Sequence, residues 1–509
     1  MLPDRPYSCD LLTYPWLPIP PGGSVGLREL YVRAHEIPDV DAPFAPAGAA
    51  LWRILTVIAA RITGLDRADN INEWQDRRDG LLDISMFSGN DVEKYFAQYG
   101  DRFDLFHPSR PFLQDSRLAD ECAKTSGINK LVLSRPAGNN QVWFDHHTDV
   151  DAQRIPVEEA VWHLLAQMYY GPSGRCTSRT VYGRSEANST AGPLRGTISY
   201  HPLGRNVFES LVTGIPYPGP AVGRDVAVWE EPEPKNPLGI SPTPGGLGGL
   251  LANRFRHAIL LSRQDELIED AWITWAWRQP AIPAEDPYLI YQHNKKGELY
   301  ARGASAARAL WRDLDALLMR DVGEERSRRP KVLDLARTLP FDVLDNLRVR
   351  AFGFDQDGQT RDKQWFTATT PAVLSLLLEP EAISGVSRVR SAAEEVAQKL
   401  RTALRNVWVA LNDPSNGDGK PTRSEIPAGP WRDQGAAHYW PRAERLFWRK
   451  VDARDFTAPA FDFVREALEV YDAITQRAGN TPRARRAVER ARGLILAARG
   501  PRLSGSGDD

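Results

Sequence analysis

Residues 389–411 read VRSAAEEVAQKLRTALRNVWVAL, and within them Val389, Ala393, Val396, Leu400, Leu404, Val407 and Leu411 recur at spacings of 4, 3, 4, 4, 3 and 4. That period sets all seven on one stripe of an α-helix, the seam of a helical bundle. Three more helices follow. One buries Trp440, Ala443 and Phe447, one buries Phe461, Val464, Leu468 and Tyr471, and one opens at the cap signal Thr481-Pro482. Four amphipathic helices close most economically as a four-helix bundle. The stretch 412–429, rich in Pro, Gly, Asp and Ser, reads as a long loop between two of them.

Upstream the patterning changes. Leu51, Ile54, Leu55, Ile58 and Ile62 fall at helical spacing, with Gly64 where a left-handed cap belongs. A second helix starts near Pro156, buries Val157, Val161, Leu164, Leu165 and Met168, and stops at Gly171-Pro172-Ser173-Gly174. Cys9 to Ile19 reads as a strand before the turn Pro20-Pro21-Gly22-Gly23. Between about 202 and 287, prolines and glycines interrupt short apolar runs such as VAVW (226–229) and AILL (258–261), which predicts short strands and irregular chain. The expected fold class is α+β: a large irregular mixed domain over 1–368, a four-helix bundle over 369–500 and a disordered tail over 501–509.

Of the 509 residues, 42% are apolar and 26% charged, the balance of a globular protein. The formal net charge of -2 supplies no global basic field, so any nucleic-acid contact must come from local patches. Cys9, Cys122 and Cys176 lack the spacing of a zinc or redox pair. With no signal segment and no apolar run near the ~18 residues that span a bilayer, the expected location is cytoplasmic, without a membrane partner.

Asp145-His146-His147 carries ligand types that metal-dependent phosphodiesterases use, but no second acidic motif follows an apolar run upstream. The preferred reading is that these side chains satisfy backbone groups where a loop ends, so no catalytic, metal or cofactor site is expected. Gly245-Gly246-Leu247-Gly248-Gly249 lacks the Lys of a phosphate loop and reads as a flexible bend. Ser134-Arg135-Pro136-Ala137-Gly138-Asn139-Asn140 gathers a hydroxyl, a guanidinium and two amides, groups that reach base edges and phosphates; an ordinary turn is an equal alternative. Gly171 to Gly174, followed by Arg175, Arg179 and Arg184, sets bare backbone beside positive charge, or is simply a helix cap with a solvated loop. Gly353 to Gln359, between Val349-Arg350-Ala351-Phe352 and Trp365-Phe366, reads as a hairpin tip carrying Gln356 and Gln359. Arg442, Arg445 and Arg449, and again Arg483, Arg486 and Arg490, line helix faces that hold a nucleic-acid strand or are merely solvated.

Several linked segments add a family likeness. They are Leu11-Leu12-Thr13-Tyr14-Pro15-Trp16-Leu17-Pro18-Ile19, Arg102-Phe103-Asp104-Leu105-Phe106-His107-Pro108-Ser109-Arg110-Pro111-Phe112-Leu113-Gln114, Phe144-Asp145-His146, Asn206-Val207-Phe208-Glu209-Ser210-Leu211 and Trp229-Glu230. Together they resemble the large subunit of the type I-E CRISPR surveillance complex Cascade, the CasA family, nearly end to end. The resemblance implies a non-enzymatic protein that finds the protospacer-adjacent motif in double-stranded DNA and helps open the duplex. It implies DNA contacts at Ser134, Arg135, Asn139 and Asn140, at Gly171 and Gly174, and a wedge at Gln356 or Gln359. A basic finger residue falls to Arg278, Lys295 or Lys296. The implied partners are CRISPR RNA, target double-stranded DNA, other Cascade subunits and a recruited helicase-nuclease. The cysteine cluster of some relatives is missing, so no structural zinc is implied.

Overall fold

Helix α1, Ala45–Thr63, is apolar on nearly every side, and all its residues but Arg61 and Thr63 are buried. Among the described residues it is the one helix long and apolar enough to cross a bilayer, but 94% of that window lies inside the protein, as in a core helix. Gly64 ends it in the left-handed conformation at φ 67°, as its position predicts. The one large polar group at its centre, Arg53, forks onto Asp286 at 3.0 and 3.1 Å, which offsets the cost of burying a guanidinium.

The computed structural model describes residues 9–137, 146–219, 223–319, 321–322, 327–357, 361–412 and 429–499. Contacts divide the chain into two units, one holding residues up to Leu310 with Met319–Ser375, the other Trp311–Leu318 with Leu376 onward.

In the first unit, α2 (Val157–Tyr170) packs on α1. Its chain then turns into the hairpin of β1 (Gly174–Val181) and β2 (Arg184–Ser189). β3 (Ile198–Leu203) is an outer strand of a three-stranded antiparallel sheet. After α3 (Gly246–Ala252), a second hairpin joins β4 (His257–Gln264) to β5 (Leu267–Trp275). β6 (Arg348–Asp357) is the middle strand beside β3 and pairs on its other side with β7 (Arg361–Thr369). Val349 to Phe354 are buried, as expected of a central strand covered on both faces.

Three local expectations change. The strand expected over Cys9–Ile19 shrinks to Leu17–Pro18, paired with Ser24–Val25, because Asp10 folds the chain before it into a turn that takes the Leu12, Thr13 and Tyr14 amides. The run 226–229 is not a strand: Glu230 reaches back to the Ala227 amide at 2.9 Å and holds a single 3-10 turn. Gly245 to Gly249 is not a bend. It opens α3, because the Asp225 carboxylate accepts from the Gly248 and Gly249 amides at 2.7 and 3.2 Å.

In the second unit α4 (Pro380–Asn412), α5 (Trp431–Asp452), α6 (Pro459–Thr475) and α7 (Pro482–Leu496) form the four-helix bundle. Six of the seven seam residues of α4 are buried, and Leu411 is half-buried at its end. Thr481 caps α7 through the Ala484 amide at 3.1 Å. On α6 the buried face runs through Phe463, Val464, Ala467 and Tyr471, so Phe461 is exposed and Leu468 lies at the face's edge. The bundle core also takes in Trp311, packed against Phe447 with ring centres 4.6 Å apart and planes tilted by 32°. Beside it Arg312 lies 3.7 Å over the ring of the half-buried Trp440 and forks onto Glu394. The predicted loop over 412–429 falls almost wholly, and the tail over 501–509 entirely, outside the described residues.

Candidate nucleic-acid interface

The last turn of α2 organises the candidate site. The Gly171 amide donates to the Gln167 carbonyl at 2.9 Å, closing the helix, and its own carbonyl accepts from Gly192 at 2.9 Å. A Cβ at 171 would stand 2.6 Å from the Gln167 carbonyl oxygen and 2.6 Å from the His257 ring, so only glycine fits. Gly174, exposed at φ +117°, turns the chain into β1. Between them the Pro172 carbonyl faces His257 Nε2 at 3.0 Å. Burial pushes the His257 imidazole down to about 4, so it is neutral in ordinary buffers.

From the same turn the Gln167 side chain donates to the carbonyls of Lys130 and Leu131 at 2.9 and 3.0 Å. This fixes the short helix Ile128–Leu131, from which the chain runs into the predicted DNA-reading loop. Ser134 is exposed there. Arg135 is 8% exposed, and its guanidinium donates to the Gln153 carbonyl at 2.6 Å and to Asn129 Oδ1 at 3.3 Å, bracing the loop from within. Asn139 and Asn140 lie outside the described residues.

A third connection leaves the same turn. The Tyr169 carbonyl accepts from Leu194, and the Tyr170 carbonyl from Arg195 Nη1 at 2.8 Å. Arg195 Nη2 meets Asp362 at 2.6 Å, Asp362 accepts from Gln356 Nε2 at 2.7 Å, and Gln356 Oε1 accepts from the Gly196 amide at 2.6 Å. Gln356 therefore locks the two strands of the β6–β7 hairpin together near its turn, and Gln359 lies outside the described residues.

Three segments distant in sequence thus hang from one helix end. Lys130, Arg135, Gln167, Pro172 to Arg175 and Asp362 line a common open cavity of about 550 Å³. Its exposed cation is Arg175, and burial pushes the amine of Lys130 down. None of the three candidate finger residues lines it: Arg278 donates to the Asn188 carbonyl and stacks on Trp275, and Lys295 and Lys296 are exposed on a turn between short strands.

A family model described as CRISPR-associated protein Cse1 matches residues 10–481. The chain belongs to the Cse1 family. A curated CasA/Cse1 protein of Thermus thermophilus is 27% identical over 483 residues, covering 90% of each chain. A chain of a solved CRISPR RNA-guided surveillance complex is similar with a TM-score of 0.88 at 47% identity, over 97% of this chain and 100% of that one. A structure of Thermus thermophilus CasA (Cse1) is similar in fold, with a TM-score of 0.74 at 19% identity over 96% of this chain and 98% of that one.

Two features stand apart from the shared cavity in this member of the Cse1 family. Of the Asp145-His146-His147 cluster, Asp145 lies outside the described residues and His146 is exposed; among the described residues no three His, Cys, Asp or Glu side chains are placed to hold one ion. In the bundle, Arg483, Arg486 and Arg490 flank a groove of about 710 Å³ floored by Val409, Ala410 and Ala491, whereas Arg442 is paired with Glu469 at 2.6 Å.

Sequence reasoning missed Gln167, Arg195, His257 and Asp362. One signal was available for Gln167: a long amide on the buried stripe of an otherwise apolar helix face requires partners, and its partners are the loop to be positioned. Arg195, His257 and Asp362 carry no clear local signal, because the bonds that tie them to the end of α2 and to each other span 25 to 167 residues of chain.

Proposed function

We propose that the face at the end of α2 recognises a protospacer-adjacent motif in double-stranded DNA and starts its opening, within an RNA-guided surveillance complex. The observation that carries this reading is the common mounting of the three segments on Gln167 to Gly171. A short motif read by close approach in the minor groove needs a few groups held in fixed relation, not a broad basic field. The formal charge of -2 suits that style of contact.

In this reading Ser134, Asn139 and Asn140 reach base edges, Arg135 shapes their loop, and the bare backbone of Gly171 to Gly174 lets the duplex come close. Gln359, three residues after the locked Gln356 in sequence, enters the stack as the wedge. Opening costs about 1.4 kcal/mol per base-pair step, so the wedge holds the first steps only until guide pairing replaces them. The protein itself performs no chemistry. CRISPR RNA and the other Cascade subunits are its partners, and a helicase-nuclease docks on it for cleavage.

The test is binding by the reconstituted complex to duplexes with intact and scrambled motifs. Alanine at Asn139 and Asn140 is expected to remove about 1–3 kcal/mol of discrimination per lost base contact. Unchanged discrimination in the double variant would sink the reading.

A further inference from the structure

We propose that His257 is the positioning residue of the glycine loop, its Nε2–H holding the Pro172 carbonyl while its ring packs against the bare face of Gly171. This rests on the reading above, in which that loop meets the duplex.

His257 opens β4 and is 2% exposed. Its Nε2 stands 3.0 Å from the Pro172 carbonyl and 3.1 Å from Ser189 Oγ. A carbonyl only accepts, so the proton sits on Nε2 and Nδ1 is left as an acceptor. That Nδ1 is buried with no hydrogen-bond partner. A buried acceptor without a donor destabilises a fold, and leucine or methionine would fill similar space without that cost. Packing alone therefore does not explain a histidine here; the bond from Nε2 to Pro172 does.

The geometry shows why the loop needs an outside donor. Residue 172 is proline, which has no N–H, and the chain leaves it for the half-buried Ser173 and exposed Gly174. Its carbonyl is held instead from β4, with Ser189 Oγ 3.4 Å away as a weaker second contact. On the other side a Cβ at 171 would lie 2.6 Å from ring Cε1 and 2.7 Å from Nδ1. Ring and glycine are fitted to each other, and the ring fixes the height of the backbone that faces the cavity.

The test compares wild type, His257→Leu and His257→Gln in the reconstituted complex, because a glutamine amide can donate from near the Nε2 position and leucine cannot donate. Each is measured on a duplex with the motif, a duplex with the motif scrambled, and a target already unpaired beside the motif. We expect His257→Leu to lose about five- to tenfold in motif preference, the order of one hydrogen bond that also orders a loop. His257→Gln should recover most of it, and all three should bind the unpaired target within about twofold of each other. Wild-type motif preference in His257→Leu overturns the inference, as does equal weakening on all three DNAs, which is general damage to the fold. A wild-type complex with no motif preference overturns the proposed function instead.

Discussion

Arg195 and Asp362 form an ion pair at 2.6 Å whose guanidinium is 3% exposed and whose carboxylate is 15% exposed. Burial pushes the Arg195 guanidinium down from its usual value, and the carboxylate opposes that shift. Removing one member of such a pair strands the other charge, which typically costs about 3–5 kcal/mol. Arg195→Ala is therefore expected to lower unfolding stability by about that amount in denaturant titration of the subunit. A loss under about 1 kcal/mol, the value of an exposed pair, would show that the link is not needed.

The two glutamines of the hairpin should separate cleanly. Gln356 uses both ends of its amide near the hairpin turn, so Gln356→Ala should cost about 1–3 kcal/mol of stability by leaving the Gly196 amide and Asp362 short of partners. Gln359→Ala, if this residue is the wedge, should reduce duplex opening and cost less stability than Gln356→Ala. Denaturant titration reads the first effect, and reactivity of unpaired thymines beside the motif reads the second. The reverse pattern would make Gln356 the wedge.

Gly171 and Gly174 should also respond differently. Alanine at 171 meets a backbone carbonyl and a buried ring at 2.6 Å, so the end of α2 must move. Alanine at 174 meets nothing within 4 Å and suffers only from φ +117°, a cost of about 1–3 kcal/mol. Gly171→Ala is expected to weaken binding of the motif duplex more than Gly174→Ala, at least tenfold against wild type. Equal affinities for the two variants would separate the loop from the site.

The bundle was legible because each of its helices announces itself. The stripe from Val389 to Val407 and the cap at Thr481 are local patterns, and the structure keeps them. Gly64 and Gly171 were legible for the same reason: a helix end needs a residue of special shape at one position. What joins the site was not legible. Gln167 and Lys130 are 37 residues apart, and Arg195 and Asp362 are 167 apart, so nothing in either neighbourhood marks the pair. Asp225 shows the same limit from the other side: a carboxylate upstream converts a glycine run from bend to helix start.

Trp311 belongs to this class of distant partners, because its segment, 311–318, lies in sequence far from the bundle helices it joins. It is 1% exposed and packs against Phe447, and Leu314 and Leu317 of the same segment are buried too. Trp311→Ala should cost about 3–5 kcal/mol, the usual loss for emptying a buried aromatic site. In a two-step unfolding curve the loss should fall on the transition of the bundle. A curve shifted only in the transition of the first unit would place the segment elsewhere.

The competing enzymatic reading makes an equally direct prediction. A metal-dependent phosphodiesterase needs several donors converging on one point, so that the ion lowers the pKa of a bound water and clamps the reacting oxygens. His146 is exposed and offers one nitrogen, and two neighbours in a tripeptide cannot surround an ion from one side of a chain. The isolated protein is therefore expected to bind Mn²⁺ or Mg²⁺ no less tightly after His146→Ala than before. It should also leave labelled double- and single-stranded DNA intact with either ion. Stoichiometric metal in the purified subunit, together with cleavage that His146→Ala abolishes, would replace a recognition subunit by a nuclease.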